Sequence, residues 1–220
     1  MNHQIFNDSI KALIFDMDGV IADTKQYHFK GWKKYLEQFD VHIDYKFFID
    51  KMFGTTGADA ARMLIDRDMT EEQADIHCDL IDSSFRNVIK DDPEFLEIKG
   101  LKIILDWAKE NNLKIALATS APRENVDLVF SKLGISEYFD VIADKSMITK
   151  GKPDPEIYLL TLKLLGLKPN QALVFEDSLS GVKSGASAGI TVIGITSGNT
   201  PQELISAGAT HTANNYLELL

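Results

Sequence analysis

Apolar and polar residues divide the chain into two textures. Four apolar residues at 12–15 stand between Lys11 and Asp16, and an Asp-Gly pair follows, which predicts a short buried strand that leaves by a turn. From 24 to about 92 the apolar residues recur at helical spacing, with no strand-like alternation. Helices are expected over 24–39, with Tyr27, Trp32, Tyr35, Leu36 and Phe39 on the apolar face, and over 45–52, 58–66 and 70–90. Thr70 and Gln73 form a capping box for the last of these, and Gly54-Thr55-Thr56-Gly57 is a break between helices. Asp92-Pro93 and Gly100 punctuate the chain, after which strand and helix alternate. Helices are expected at 101–110, 124–133, 154–165, 179–188 and 201–207. Strands are expected at 114–118, 141–143, 172–175 and 191–195, with a short edge strand at 209–212.

That alternation predicts an α/β fold, a parallel sheet with helices on both faces and ligands bound at the carboxyl ends of the strands. The all-helical block follows the first strand directly, so it reads as an insert above that edge. The expected division is a discontinuous core, 1–22 with 96–220, and a helical cap domain, 23–95.

Composition narrows the function. At 220 residues and 45% apolar, the chain can bury a sizeable core. It has no apolar run of about 18 residues, and its first ten residues lack the pattern of a signal peptide. The single cysteine, Cys78, excludes an internal disulfide framework and fits a reducing compartment, so a cytoplasmic location is expected. A formal charge of −10 argues against nucleic acid or an anionic membrane as the main partner. No extended apolar surface is evident, and a monomer is expected.

If the sheet is parallel, its strand ends bring Asp16 and Asp18, Thr119 and Ser120, and Glu176 and Asp177 to one edge, with Lys152 in a loop between the last two pairs. Singly, each has a plain reading. Asp18-Gly19 suits a turn, Thr119-Ser120 a helix cap, Lys152 a solvated loop cation, and Glu176-Asp177-Ser178 an acidic helix start. Jointly they suit an anionic, oxygen-rich ligand held through one hard divalent cation. Carboxylates without His or Cys favour Mg²⁺. In that arrangement Asp16 would attack phosphorus, Asp18 would move the proton, and Thr119 and Lys152 would hold phosphoryl oxygens.

The ordered set Phe15-Asp16-Met17-Asp18-Gly19-Val20, Leu117-Ala118-Thr119-Ser120, Gly151-Lys152-Pro153-Asp154 and Phe175-Glu176-Asp177-Ser178 resembles the four motifs of the haloacid dehalogenase superfamily. The resemblance implies a Rossmann-like core with an inserted helical cap. It also implies Asp16 as nucleophile and Asp18 as acid/base, with Mg²⁺ held by Asp16, the Asp18 carbonyl and Asp177, and Glu176 beside them. The insert is similar to the cap of the subfamily containing β-phosphoglucomutase and small sugar phosphatases. Tyr27-His28-Phe29 and Trp32 match the start of the mutase cap, where the histidine couples the acid/base to cap closure. The mutase's cap arginine, however, is replaced by Gly57, a cap lysine expected around 76–84 is absent, and Ala121-Pro122-Arg123 lacks the lysine after the serine.

A mutase must hold two phosphates, so hydrolysis of a small phosphorylated metabolite, a sugar or polyol phosphate, is the expectation. His28, Trp32, Thr56, Gly57, Ser120 and Arg123 are the expected substrate-binding residues. The alternatives are a sugar phosphomutase, an inorganic pyrophosphatase, which Phe53 disfavours because the relative carries glutamate there, and a non-catalytic binding protein.

Overall fold

The computed structural model describes residues 5–52 and 55–219. In chain order the elements are β1 (Ala12–Phe15), α1 (Lys25–Leu36), α2 (Tyr45–Phe47), α3 (Gly57–Leu64), α4 (Glu71–Lys90), α5 (Leu101–Glu110), β2 (Lys114–Ala118), α6 (Arg123–Leu133), β3 (Val141–Ala143), α7 (Glu156–Leu165), β4 (Ala172–Glu176), α8 (Leu179–Ser187), β5 (Thr191–Ile195), α9 (Pro201–Ala207) and β6 (His211–Ala213). The chain divides into two compact units, Met1–Asp23 with Leu96–Leu220, and Thr24–Phe95.

The first unit is built on a six-stranded sheet in the order β3-β2-β1-β4-β5-β6, parallel at every pairing. The chain runs from β1 outward to β3, then returns across β1 to β4, so β1 lies where the strand order reverses. In open parallel sheets that reversal leaves a crevice at the carboxyl ends of the strands. β1 and β4 are buried throughout, which explains their unbroken apolar runs. Alternation sends Ala12, Ile14, Ala116, Ala118, Ala172 and Val174 to the face covered by Ile157, Tyr158 and Leu162 of α7 and Val182 of α8. On the opposite face Phe15 stacks on Phe175, 4.8 Å between ring centroids, and Tyr216 closes over both.

The second unit is helical. Trp32, Tyr35 and Leu36 of α1 pack with Ala60, Ala61, Met69, Ala74 and Ile81 around one apolar core. Thr70 and Gln73 form the expected capping box at the start of α4. Gly31 lets α1 lie close against α4, since a Cβ there would stand 2.9 Å from the Phe85 nitrogen.

Several boundaries differ from the sequence expectation. The helix expected over 45–52 is α2 followed by a π-helical turn, Phe48–Met52, with Phe48 and Met52 buried. The helix expected from 154 begins at Glu156, because Asp154 precedes a proline and its side chain instead accepts from the Glu156 N–H. The edge strand expected at 209–212 is His211–Ala213: the Ala209 N–H closes α9 on the Leu204 carbonyl, the Thr210 N–H makes the first bond to β5 at Val192, and the paired register begins with His211 opposite Ile193. Gly54, in the expected inter-helix break, and Phe53, used against the pyrophosphatase reading, lie outside the described residues.

Candidate active site

The register of the central strands assembles the site. Phe15 pairs with Leu117 on one side and Phe175 on the other, so Asp16, Ala118 and Glu176 come level one residue further on. All three share the parity of Ile14, Ala116 and Val174, and therefore turn toward the face that α7 covers. The chain leaves β1 through Gly19, whose φ of +74° suits glycine, and the Gly19 N–H bonds the Ala22 carbonyl.

Lys152 is the centre of the arrangement. Its ammonium donates to Asp16 Oδ1 (2.7 Å), Glu176 Oε1 (2.6 Å) and the Ala118 carbonyl (3.0 Å), and its side chain is only 6% exposed. The loop that delivers it is pinned from α7: the Glu156 carboxylate accepts from the Thr149 and Lys150 N–H groups, which holds its pKa below the usual value. Ser184 of α8 donates to the Asp154 carbonyl (2.7 Å). The solvated-cation reading of Lys152 therefore fails.

Glu176 is fully buried and accepts at both oxygens. Oε1 takes Lys152 and the Tyr158 hydroxyl (2.8 Å), while Oε2 takes the Asp177 N–H, the Ser178 N–H and the Ser178 hydroxyl (3.2, 3.3 and 3.1 Å). Gly181 makes room for it, since a Cβ there would overlap the carboxylate. Ser178 caps α8, its hydroxyl accepting from the Gly181 N–H.

One ammonium faces several acids. Burial, reinforced by the charges of Glu176 and Asp18, outweighs the opposing pull of Lys152 and leaves the Asp16 pKa raised to about 7. For Lys152 burial works against the charge, but Asp16 and Glu176 outweigh it and the pKa lies above the ordinary value. Carboxylate oxygens of Asp16, Glu176 and Asp177 lie within 4.8 Å of one another. An excess of buried, hard, anionic oxygens at that spacing fits a divalent cation such as Mg²⁺.

The other expected site residues fall into two groups. Thr119 is buried at the end of β2 and its hydroxyl accepts from the Ala121 N–H (3.1 Å), so it turns its own strand end and does not cap α6, whose N-cap is Pro122. Ser120 is exposed beside it. Arg123 lies along α6 and pairs with Asp127 (2.8 Å), outside the acidic cluster. In the helical unit His28 stacks on Phe85 at 4.0 Å between ring centroids. Thr56 caps α3 by accepting from the Asp59 N–H, and Gly57 opens that helix opposite Cys78. Trp32, expected on a substrate-facing surface, is 6% exposed within the apolar core, because it shares the stripe of Tyr35 and Leu36.

Tyr158 and Ser197, absent from the sequence analysis, bring hydroxyls to the carboxylates of the cluster. Tyr158 reads in sequence as one more apolar helix position, and only its hydroxyl bond to Glu176 distinguishes it. Ser197, in the loop after β5, has its hydroxyl oxygen 2.6 Å from the Gly19 carbonyl and 3.0 Å from Asp177 Oδ2.

The haloacid dehalogenase-like hydrolase family matches residues 13–195. The chain is 32% identical to a phosphorylated carbohydrates phosphatase of Thermotoga maritima over 212 residues, covering 91% of this chain and 92% of that protein. It is 31% identical to the β-phosphoglucomutase of Bacillus subtilis over 220 residues, 96% and 94% of the two chains. A solved haloacid dehalogenase family IA hydrolase of Entamoeba histolytica shares the fold with a TM-score of 0.89 at 26% identity, over 96% of each chain. Four motifs at strand ends and in the loop beside one, a sheet that reverses at β1 and a family match running from β1 to β5 lead to one assignment: the chain belongs to the haloacid dehalogenase-like hydrolases, a superfamily of phosphatases and phosphotransferases.

Proposed function

We propose that this protein is a Mg²⁺-dependent phosphatase that hydrolyses a small sugar or polyol phosphate through an aspartyl-phosphate. The observation that carries the reading is the buried Lys152 bridging Asp16 and Glu176 beside Asp177, a site with more negative charge than its one cation balances. The phosphorylated carbohydrates phosphatase at 32% identity supports the substrate class.

In this mechanism an Asp16 carboxylate oxygen attacks phosphorus and the bond to the leaving oxygen breaks. Asp18 gives that oxygen a proton, then takes one from the water that hydrolyses the aspartyl-phosphate, so both carboxyls return to their starting state. Lys152 fixes the Asp16 rotamer through the 2.7 Å bond and balances phosphoryl charge. The Thr119 hydroxyl, held from behind by Ala121, donates to a phosphoryl oxygen. Asp16, Asp177 and the Asp18 carbonyl would hold Mg²⁺, with Glu176 bracing Lys152 beside them. When bound, Mg²⁺ supplies charge that screens the attacking carboxylate from the incoming phosphate. Choice among substrates is assigned to Ser120 and to the helical unit, where His28, Thr56 and Gly57 are the positions to vary.

The test is phosphate release from sugar, polyol, nucleotide and pyrophosphate substrates with Mg²⁺, run beside Asp16→Asn. Release from one chemical group that falls at least about 10³-fold in the variant is expected; turnover retained by Asp16→Asn would refute the mechanism. A second reading, sugar phosphomutase, is favoured by the 31% identity to β-phosphoglucomutase over 96% of this chain. Its signature is conversion of β-glucose 1-phosphate to glucose 6-phosphate without net phosphate release.

A further inference from the structure

The loop between β5 and α9 reaches back into the acidic cluster. A serine that merely shapes its own turn bonds its own loop, as Thr200 does by accepting from the Glu203 N–H. Ser197 instead meets the Gly19 carbonyl at 2.6 Å and Asp177 Oδ2 at 3.0 Å, on the loops that follow β1 and β4. Two residues on, Asn199 Nδ2 donates to the Asp177 carbonyl at 2.8 Å. The fit is close, because a Cβ on Gly19 would overlap the Asp177 carboxylate and stand 2.7 Å from the Ser197 hydroxyl. A hydroxyl carries one proton, and both of its neighbours here are acceptors. Ser197 therefore donates to one while remaining within reach of the other, linking the Asp18–Gly19 turn to the Asp177 carboxylate.

We infer that Ser197 is a positioning residue for cation binding: its hydroxyl sets the spacing between the Asp18–Gly19 turn and Asp177, the two ends of the oxygen set. The inference rests on the Mg²⁺ reading above. Partners that orient metal ligands without touching the metal are worth roughly 10- to 100-fold in affinity.

The experiment is calorimetric titration of Mg²⁺ into wild type, Ser197→Ala, Ser197→Thr and Ser197→Val, with melting curves of each in EDTA. Ser197→Ala is expected to weaken Mg²⁺ binding by about tenfold or more while Ser197→Thr stays within about threefold of wild type, and all four are expected to melt cooperatively without metal. Wild-type affinity in Ser197→Ala overturns the inference. If Ser197→Ala fails to fold, the Thr/Val pair decides, since the two differ by hydroxyl against methyl; equal affinity overturns the inference. Absence of Mg²⁺ binding to the wild type defeats the metal reading itself, and this inference with it. Tight wild-type binding that is unchanged in the variants defeats the inference alone.

Discussion

At the scale of single residues, Lys152 and Glu176 show how the site is held. Glu176 is a buried carboxylate whose charge is tolerated because five donors converge on it, and Tyr158 supplies one of them. Tyr158→Phe removes a donor from a buried charged acceptor, a change that costs about 1.5–3 kcal/mol. Urea unfolding should register that loss, and steady-state kinetics should show kcat falling more than KM rises; an unchanged kcat would count against a bracing role. Gly181→Ala should be more damaging, because its Cβ would displace the carboxylate and with it the Lys152 bridge. Phosphate release should fall in step with loss of Mg²⁺ binding. That Asp16, Lys152, Glu176 and Asp177 come together was legible because each sits at a strand end or in the loop beside one. Tyr158 and Ser197 were not, since their partners lie 18 and 20 or more residues away and no local pattern announces the contact.

At the scale of elements, glycines decide how closely the segments approach. In an exposed helix Gly→Ala gains up to about 1 kcal/mol from propensity. Gly31→Ala should nevertheless destabilise, by about 1–3 kcal/mol, because its Cβ would meet the Phe85 backbone of α4 at 2.9 Å. Chemical denaturation would check this, and a rise in the midpoint would mean that α1 and α4 can part without loss. The hydrophobic pattern located elements well where a buried stripe met a polar face, as in α5, and where a short unbroken apolar run marked a strand buried on both faces, as in β2 and β5. At α7 and β6 it found the element and placed the start too early, because the start depends on which acceptor captures a backbone N–H there. For Trp32 periodicity was right, placing it on the apolar stripe of Tyr35 and Leu36; the substrate-facing expectation came from the resemblance to the mutase cap.

For the whole molecule, the acidic cluster links stability to pH and to metal. Asp16 holds its proton to about pH 7 in the folded state but only to about 3.8 unfolded. Between those values the folded chain binds more protons, so this group's contribution to stability falls as pH rises and the penalty is complete above 7. In EDTA, the wild-type Tm should therefore drop relative to Asp16→Asn between pH 4.5 and 7.5, and a flat difference would refute the assignment. Adding Mg²⁺ at pH 7.5 should raise the wild-type Tm with ion concentration, and Asp177→Asn should blunt that rise. No helix among the described residues is long and apolar enough to cross a membrane. The sequence by itself determined the alternation of elements, and with it a parallel sheet carrying acids, a hydroxyl and a lysine at the ends of its strands. Those properties are local: apolar runs, breakers and caps set them within a few residues. Only the tertiary structure decided that β1 lies between β2 and β4, that Lys152 is buried against Asp16 and Glu176, and that Tyr158 and Ser197 belong to the same cluster. Such contacts depend on strand order and loop reach, which arise from packing distant segments into one core.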